Sequence, residues 1–149
     1  MLDKMRDDKY VLQMLKYISR LNKYCENKTL DEFLYDDMCS DACILMIAEI
    51  GEKESSLSDN FKNGHGYIPW SKIKAMRNIM VHNYEGVNLN IVWDTIKENI
   101  PALEEALSNI IIEKYFDKFD NTIITEDDLY YLPTLNDFLN KEKKKDYSR

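Results

Sequence analysis

An arginine, an asparagine and a histidine fall within one amphipathic stretch, Trp70 to Tyr84, which reads WSKIKAMRNIMVHNY. A guanidinium grips an oxyanion with a planar fork of donors, an imidazole exchanges a proton near neutral pH, and a carboxamide can orient the group between them. Such a set suits work on a phosphate. The local charge agrees. From Asn60 to Tyr84 the basic residues Lys62, Lys72, Lys74 and Arg77 are accompanied by no acid, although the chain holds 27 Asp and Glu among 149 residues. At that average about 4 or 5 acids belong in such a window, so a site for an anionic ligand is favoured here.

On a helix of about 100° per residue, Trp70, Ile73, Met76, Met80, Val81 and Tyr84 share an apolar arc with Arg77 in its middle. An unpaired buried guanidinium is too costly to keep. Arg77 must therefore meet a carboxylate, Glu54 being a candidate, or face a cleft or subunit interface. Asn78 and His82 are four residues apart and share a face one turn apart. Arg77 lies about 140° from His82 on the wheel but has the reach to join them on one phosphate. His82 occupies the last turn before Asn83 to Gly86 ends the helix, where the helix dipole favours the protonated ring. Taken alone, a histidine at a helix end is more often a cap than a catalyst.

The elements that must position this segment are helices. Only 4 glycines and 3 prolines punctuate the chain, too few for an all-β or alternating α/β architecture. Tyr10, Met14, Ile18 and Leu21 mark a first helix from about Lys4 to Cys25. Thr29 with Glu32 forms a capping-box pattern for a short turn through Tyr35. A central helix is expected from about Asp36 to Phe61, with Cys43, Met46, Ile47, Ile50, Leu57 and Phe61 on one stripe. Asn63 to Pro69 reads as a loop before the motif helix. Leu89, Val92, Trp93, Ile96, Ile100, Leu103, Leu107, Ile110 and Ile111 then mark a long helix that Pro101 should kink or restart. Four main helices with short connections predict an all-α, antiparallel four-helix bundle over residues 1–114. In the 115–149 extension, Thr125 and Asp128 cap a short helix through Leu132, Pro133 stops it, and Thr134 to Asn140 forms another. The apolar residues Leu129, Tyr130, Leu135, Phe138 and Leu139 imply that this extension docks on something, and the basic run Lys141 to Lys145 reads as a solvated tail.

Composition narrows the function. With 44% apolar and 32% charged residues the chain falls in the soluble globular class, without a run of about 20 apolar residues or a signal-peptide pattern, and a cytoplasmic protein is expected. A net charge of -7 argues against a general nucleic-acid coat protein but leaves room for a nucleic-acid enzyme with a local basic cleft. Cys25, Cys39 and Cys43 lack disulfide-framework spacing, which fits a reducing compartment. Cys39 and Cys43, one turn apart, could meet His65 around a metal, but the usual two-residue ligand spacing is missing, so neither metal nor cofactor is expected.

Arg77, Asn78, the four-residue spacing from Arg77 to His82, and Tyr84 two positions later resemble the motif of HEPN ribonucleases. A bare Arg and His at that spacing is a weak signal. The flanking blocks make it strong: DACILMIAEIGE from Asp41, IPW at Ile68 to Trp70, MRNIMVHNY, and VWDTIKENIPALEE from Val92 resemble the HepT-type toxin branch over about residues 1–114. The resemblance implies a two-fold homodimer in which the paired motif helices cut RNA without metal. On it His82 of one copy serves as base and His82 of the other as acid, Arg77 holds the phosphate and Asn78 orients it. It also implies a type VII-like toxin–antitoxin pair, in which a minimal nucleotidyltransferase antitoxin attaches AMP to Tyr84 and so blocks the cleft. On physical grounds alone, packing and modification are equally good readings of Tyr84. Two other readings stay open: a non-catalytic module that binds a nucleotide or supports a nucleotidyltransferase, and a structural helical dimer with Arg77 and Glu54 as a buried pair.

Overall fold

In the computed structural model, which describes residues 2–117 and 124–147, the first helix, α1 (Leu2–Cys25), turns Val11, Met14, Ile18 and Leu21 into the core at helical spacing. The chain then steps through α2 (Leu30–Tyr35) into α3 (Asp37–Ser56), which buries Cys43, Ile44, Met46, Ile47 and Ile50. Thr29 and Glu32 form the expected capping box on α2, and the Asp36 carboxylate caps α3 by accepting from the Cys39 N–H at 3.0 Å.

The central helix is shorter than its apolar stripe predicts. It ends at Ser56, Leu57 is extended, and a separate α4 (Asp59–Gly64) follows, so that Asn63 and Gly64 are helical rather than looped. Ser58 is the reason. Its hydroxyl caps α4 by accepting from the Phe61 N–H, while its own N–H and hydroxyl donate to the Asp7 carboxylate at 2.8 and 2.6 Å. These bonds satisfy groups that a continuous helix would have spent on itself, and they fix the start of α1 beside the end of α3.

The motif helix is α5 (Trp70–His82), followed by a 3-10 turn at Tyr84–Gly86. After α6 (Leu89–Asp94) the backbone widens into a π-helical turn, Thr95–Asn99, and continues as α7 (Ile100–Asp117). Pro101 is thus absorbed without a break. The Ile100 N–H reaches back five residues to the Thr95 carbonyl, and the wider turn relieves the crowding a proline imposes on the preceding turn.

The side-chain pairings give the directions of the bundle. Asp7 meets Ser58 and Cys25 meets Cys43, so α1 and α3 are antiparallel. Asn22 donates to Glu104, while Lys114 pairs with Asp8, so α1 and α7 are antiparallel. Tyr84 reaches Asp41 and Arg77 reaches Glu52, so α5 runs against α3. All regular structure among the described residues is helical, as expected.

The extension docks on its own bundle. In α8 (Glu126–Tyr131) the predicted Thr125–Asp128 capping box is present, and Asp128 pairs with Lys16 of α1 at 2.6 Å. Pro133 does end α8, but it also begins α9 (Pro133–Tyr147), where its fixed φ and missing donor cost nothing. This helix runs on past Asn140, so the run Lys141 to Lys145 is helical, with its four lysines exposed to solvent. Ile124, Leu132, Leu135 and Leu139 are buried in the same core as α1 and α7. Residues 118–123 and 148–149, which belong to the 115–149 extension, lie outside the described residues.

Candidate active site on helix α5

The first half of α5 is anchored. The Trp70 indole N–H is shared between the Lys62 and His65 carbonyls at 3.2 and 3.1 Å, and its ring packs near Phe61. His65 Nδ1 lies 2.8 Å from the Phe61 carbonyl and its ring packs on Phe61, so this histidine organises the entry to α5 rather than joining the cysteines. Ile73 and Met76 pack on the core, and Met80 is buried.

The second half is presented outward. Asn78, Ile79, Val81, His82 and Tyr84 are exposed. The apolar arc is therefore narrower than the wheel implies: Val81 and Tyr84 lie outside the core. The reason is that α5 packs chiefly against one helix, α3, which covers only one stripe of it.

Arg77 meets a carboxylate, but not Glu54. Its Nε donates to Glu52 Oε1 at 2.5 Å, Nη2 reaches the same oxygen, and Nη1 donates to Asn78 Oδ1 at 2.9 Å. Glu54 is buried and pairs with Lys62 at 3.2 Å. Glu52 sits one turn-step outward on α3, at the rim, so Arg77 stays partly exposed. Of its five N–H groups three are engaged, and two on the terminal nitrogens meet no partner among the described residues. Glu52 is a residue that sequence reasoning missed. Its place inside the AEIGE block is the signal, but helical spacing alone does not distinguish it from Glu54.

Gly51 allows this arrangement. A Cβ there would lie 2.2 Å from Arg77 Cβ and 2.7 Å from Arg77 Cγ, so only a glycine lets α3 come this close to α5 at the arginine.

Tyr84, in the 3-10 turn, donates its hydroxyl to the Asp41 carboxylate on the outer side of α3. That bond, together with partial burial and the charges of Asp41 and Asp37, raises the phenol pKa above its ordinary value of 10.0. Arg77 thus reaches Asn78, exposed His82 follows Asn78 one turn later on α5, and Tyr84 lies just beyond the end of the helix. A cavity of about 460 Å³ lies elsewhere, between α3, α5 and the start of α7, lined by Ile47, Ile50, Ile73, Met76 and Leu103 among others; none of the four motif residues lines it.

Comparisons with known proteins place this sequence among ribonuclease-named relatives. The chain is 34% identical over 104 residues to a Methanocaldococcus jannaschii protein whose name joins a gamma-glutamylcyclotransferase to an RNase, covering 70% of this chain but only 47% of that one. It is 30% identical over 102 residues to a Caldanaerobacter subterraneus protein carrying an RNase name, spanning 91% of it. It is also 30% identical over 95 residues to a Thermococcus cleftensis protein carrying the name ribonuclease HepT, spanning 86% of it. No solved structure matches the chain. The family model described as ribonuclease HepT-like matches residues 14–110, a span that takes in Arg77, Asn78, His82 and Tyr84, and the chain belongs to that family.

Proposed function

We propose that this chain is the ribonuclease toxin of a toxin–antitoxin pair, cutting RNA without metal at a site completed by a second copy. The observation that carries the reading is the outward surface of α5, where a guanidinium clamped by Glu52 stands beside exposed Asn78 and His82 in a segment free of acids.

Internal cleavage of RNA needs one group to remove the 2'-hydroxyl proton and another to protonate the departing 5'-oxygen. One chain offers a single histidine at this surface, and a two-fold pair offers two. His82 of one copy takes the 2'-OH proton, and the 2'-oxygen forms a bond to phosphorus. The bond from phosphorus to the 5'-oxygen breaks as His82 of the second copy supplies a proton. A 2',3'-cyclic phosphate and a 5'-hydroxyl result. The two unengaged N–H groups of Arg77 stabilise the charge that develops on the phosphoryl oxygens, and Asn78 fixes the arginine and orients the phosphate. Exposed Ile79 and Val81 provide apolar surface for the second copy.

Tyr84 is the site at which the partner nucleotidyltransferase silences the enzyme. The phenolic oxygen attacks the α-phosphorus of a nucleoside triphosphate, pyrophosphate leaves, and Asp41 is placed to accept the phenol proton. The added phosphate brings negative charge to the surface that holds the RNA phosphate.

The test is cleavage of RNA by purified protein, confirmed by mass to be unmodified at Tyr84, in the presence of EDTA. Cutting that leaves cyclic phosphate ends is the expected result. Intact RNA, or ends bearing a 3'-hydroxyl, would overturn the assignment and favour a non-catalytic module.

A further inference from the structure

Three cysteines from two helices converge at a place the ribonuclease reading does not use. Cys25 ends α1, and Cys39 and Cys43 lie one turn apart near the start of α3. All three are buried, and their sulfur atoms lie within 4.8 Å of one another, with Cys25 and Cys43 at 3.5 Å. Spacing along the chain does not reveal this, because Cys25 lies on another helix, and His65, the other candidate ligand, is engaged with the Phe61 carbonyl.

A metal held symmetrically by three thiolates at about 2.3 Å sets the sulfurs about 4 Å apart, so the triad is already near the dimensions of a site. We propose that Cys25, Cys39 and Cys43 bind one soft thiophilic cation of the Cu(I) class in three-coordinate geometry. Softness follows from an all-sulfur donor set. The coordination number follows from the cluster itself, which among the described residues gathers no fourth His, Cys, Asp or Glu. Closed Zn(II) sites almost always take four ligands, which disfavours zinc.

The surroundings offset the thiolate charge. Cys39 sits in the first turn of α3, at its positive end. Lys97 donates to the Cys25 carbonyl at 3.4 Å, and Lys28 is tethered beside the cluster by Asp36 at 2.6 Å. An ion here would staple the end of α1 to the stretch of α3 that carries Asp41.

The test uses the full chain, reduced and handled without oxygen, with Cu(I) supplied as the complex of a competing chromophoric chelator. One equivalent should move from chelator to protein, all three thiols should become protected from alkylation, and the melting temperature should rise. Cys25→Ala and Cys43→Ala, checked for helical content, should each weaken retention at least a hundredfold. Copper left on the chelator by protein with three alkylatable thiols would overturn the proposal. So would variants that hold copper as well as the parent, or stoichiometric Zn(II) binding without Cu(I) binding. Copper transfer to the parent, read from the chelator's absorbance, decides the matter even where a variant fails to fold.

Discussion

Helices α5 and α9 are both amphipathic, yet they treat their apolar residues in opposite ways. In and just before α9, Leu132, Leu135 and Leu139 are 3%, 1% and 2% exposed, whereas Ile79, Val81 and Tyr84 in and after α5 are 53%, 47% and 48% exposed. The chain therefore has the means to bury an apolar face against its own bundle, and uses it for the extension. The second half of α5 is left open, carrying its arginine, asparagine and histidine. The difference separates a region shaped by stability from one shaped to receive something else.

If the contrast is right, substitutions should split cleanly between the two regions. Leu135→Ala removes a fully buried side chain and should cost about 2–5 kcal/mol of stability in denaturant unfolding, with the RNA cleavage rate per folded molecule unchanged. Arg77→Ala should do the reverse: cleavage falls by roughly 10²–10³, or about 2.7–4 kcal/mol of transition-state stabilisation, while the denaturation midpoint moves little. Gly51→Ala should blur the boundary, since its Cβ would collide with Arg77; a loss of about 1–3 kcal/mol in stability should come with slower cleavage. Ile79→Glu, on the open surface, should leave the unfolding curve in place and weaken self-association by about tenfold or more, about 1.4 kcal/mol, in sedimentation.

The same contrast explains what could be read from the sequence. The all-helical architecture was legible because periodicity and caps agree at Thr29 and Thr125. The motif residues were legible because Arg77, Asn78 and His82 sit at helical spacing in an acid-free window. The partner of Arg77 was not, because Glu52 and Glu54 are both on α3 and only the crossing at Gly51 decides between them. The break at Ser58 was hidden for a similar reason: the apolar stripe continues across it, and the bond that ends the helix comes from Asp7, at the other end of the first helix. The exposure of Val81 and Tyr84 depends on how few neighbours α5 has, which a wheel cannot express. The cysteine triad required the antiparallel docking of α1 on α3.

On this reading the surface of α5 is half of a catalytic site. RNA cleavage by two copies joined in one polypeptide, with His82→Ala in neither, one or both copies, reads this out. If one histidine is base and the other acid, the single substitution should lower the rate nearly as far as the double one. A linked pair with one substitution that retains half the parent rate would show that each copy cuts alone and that no composite site forms.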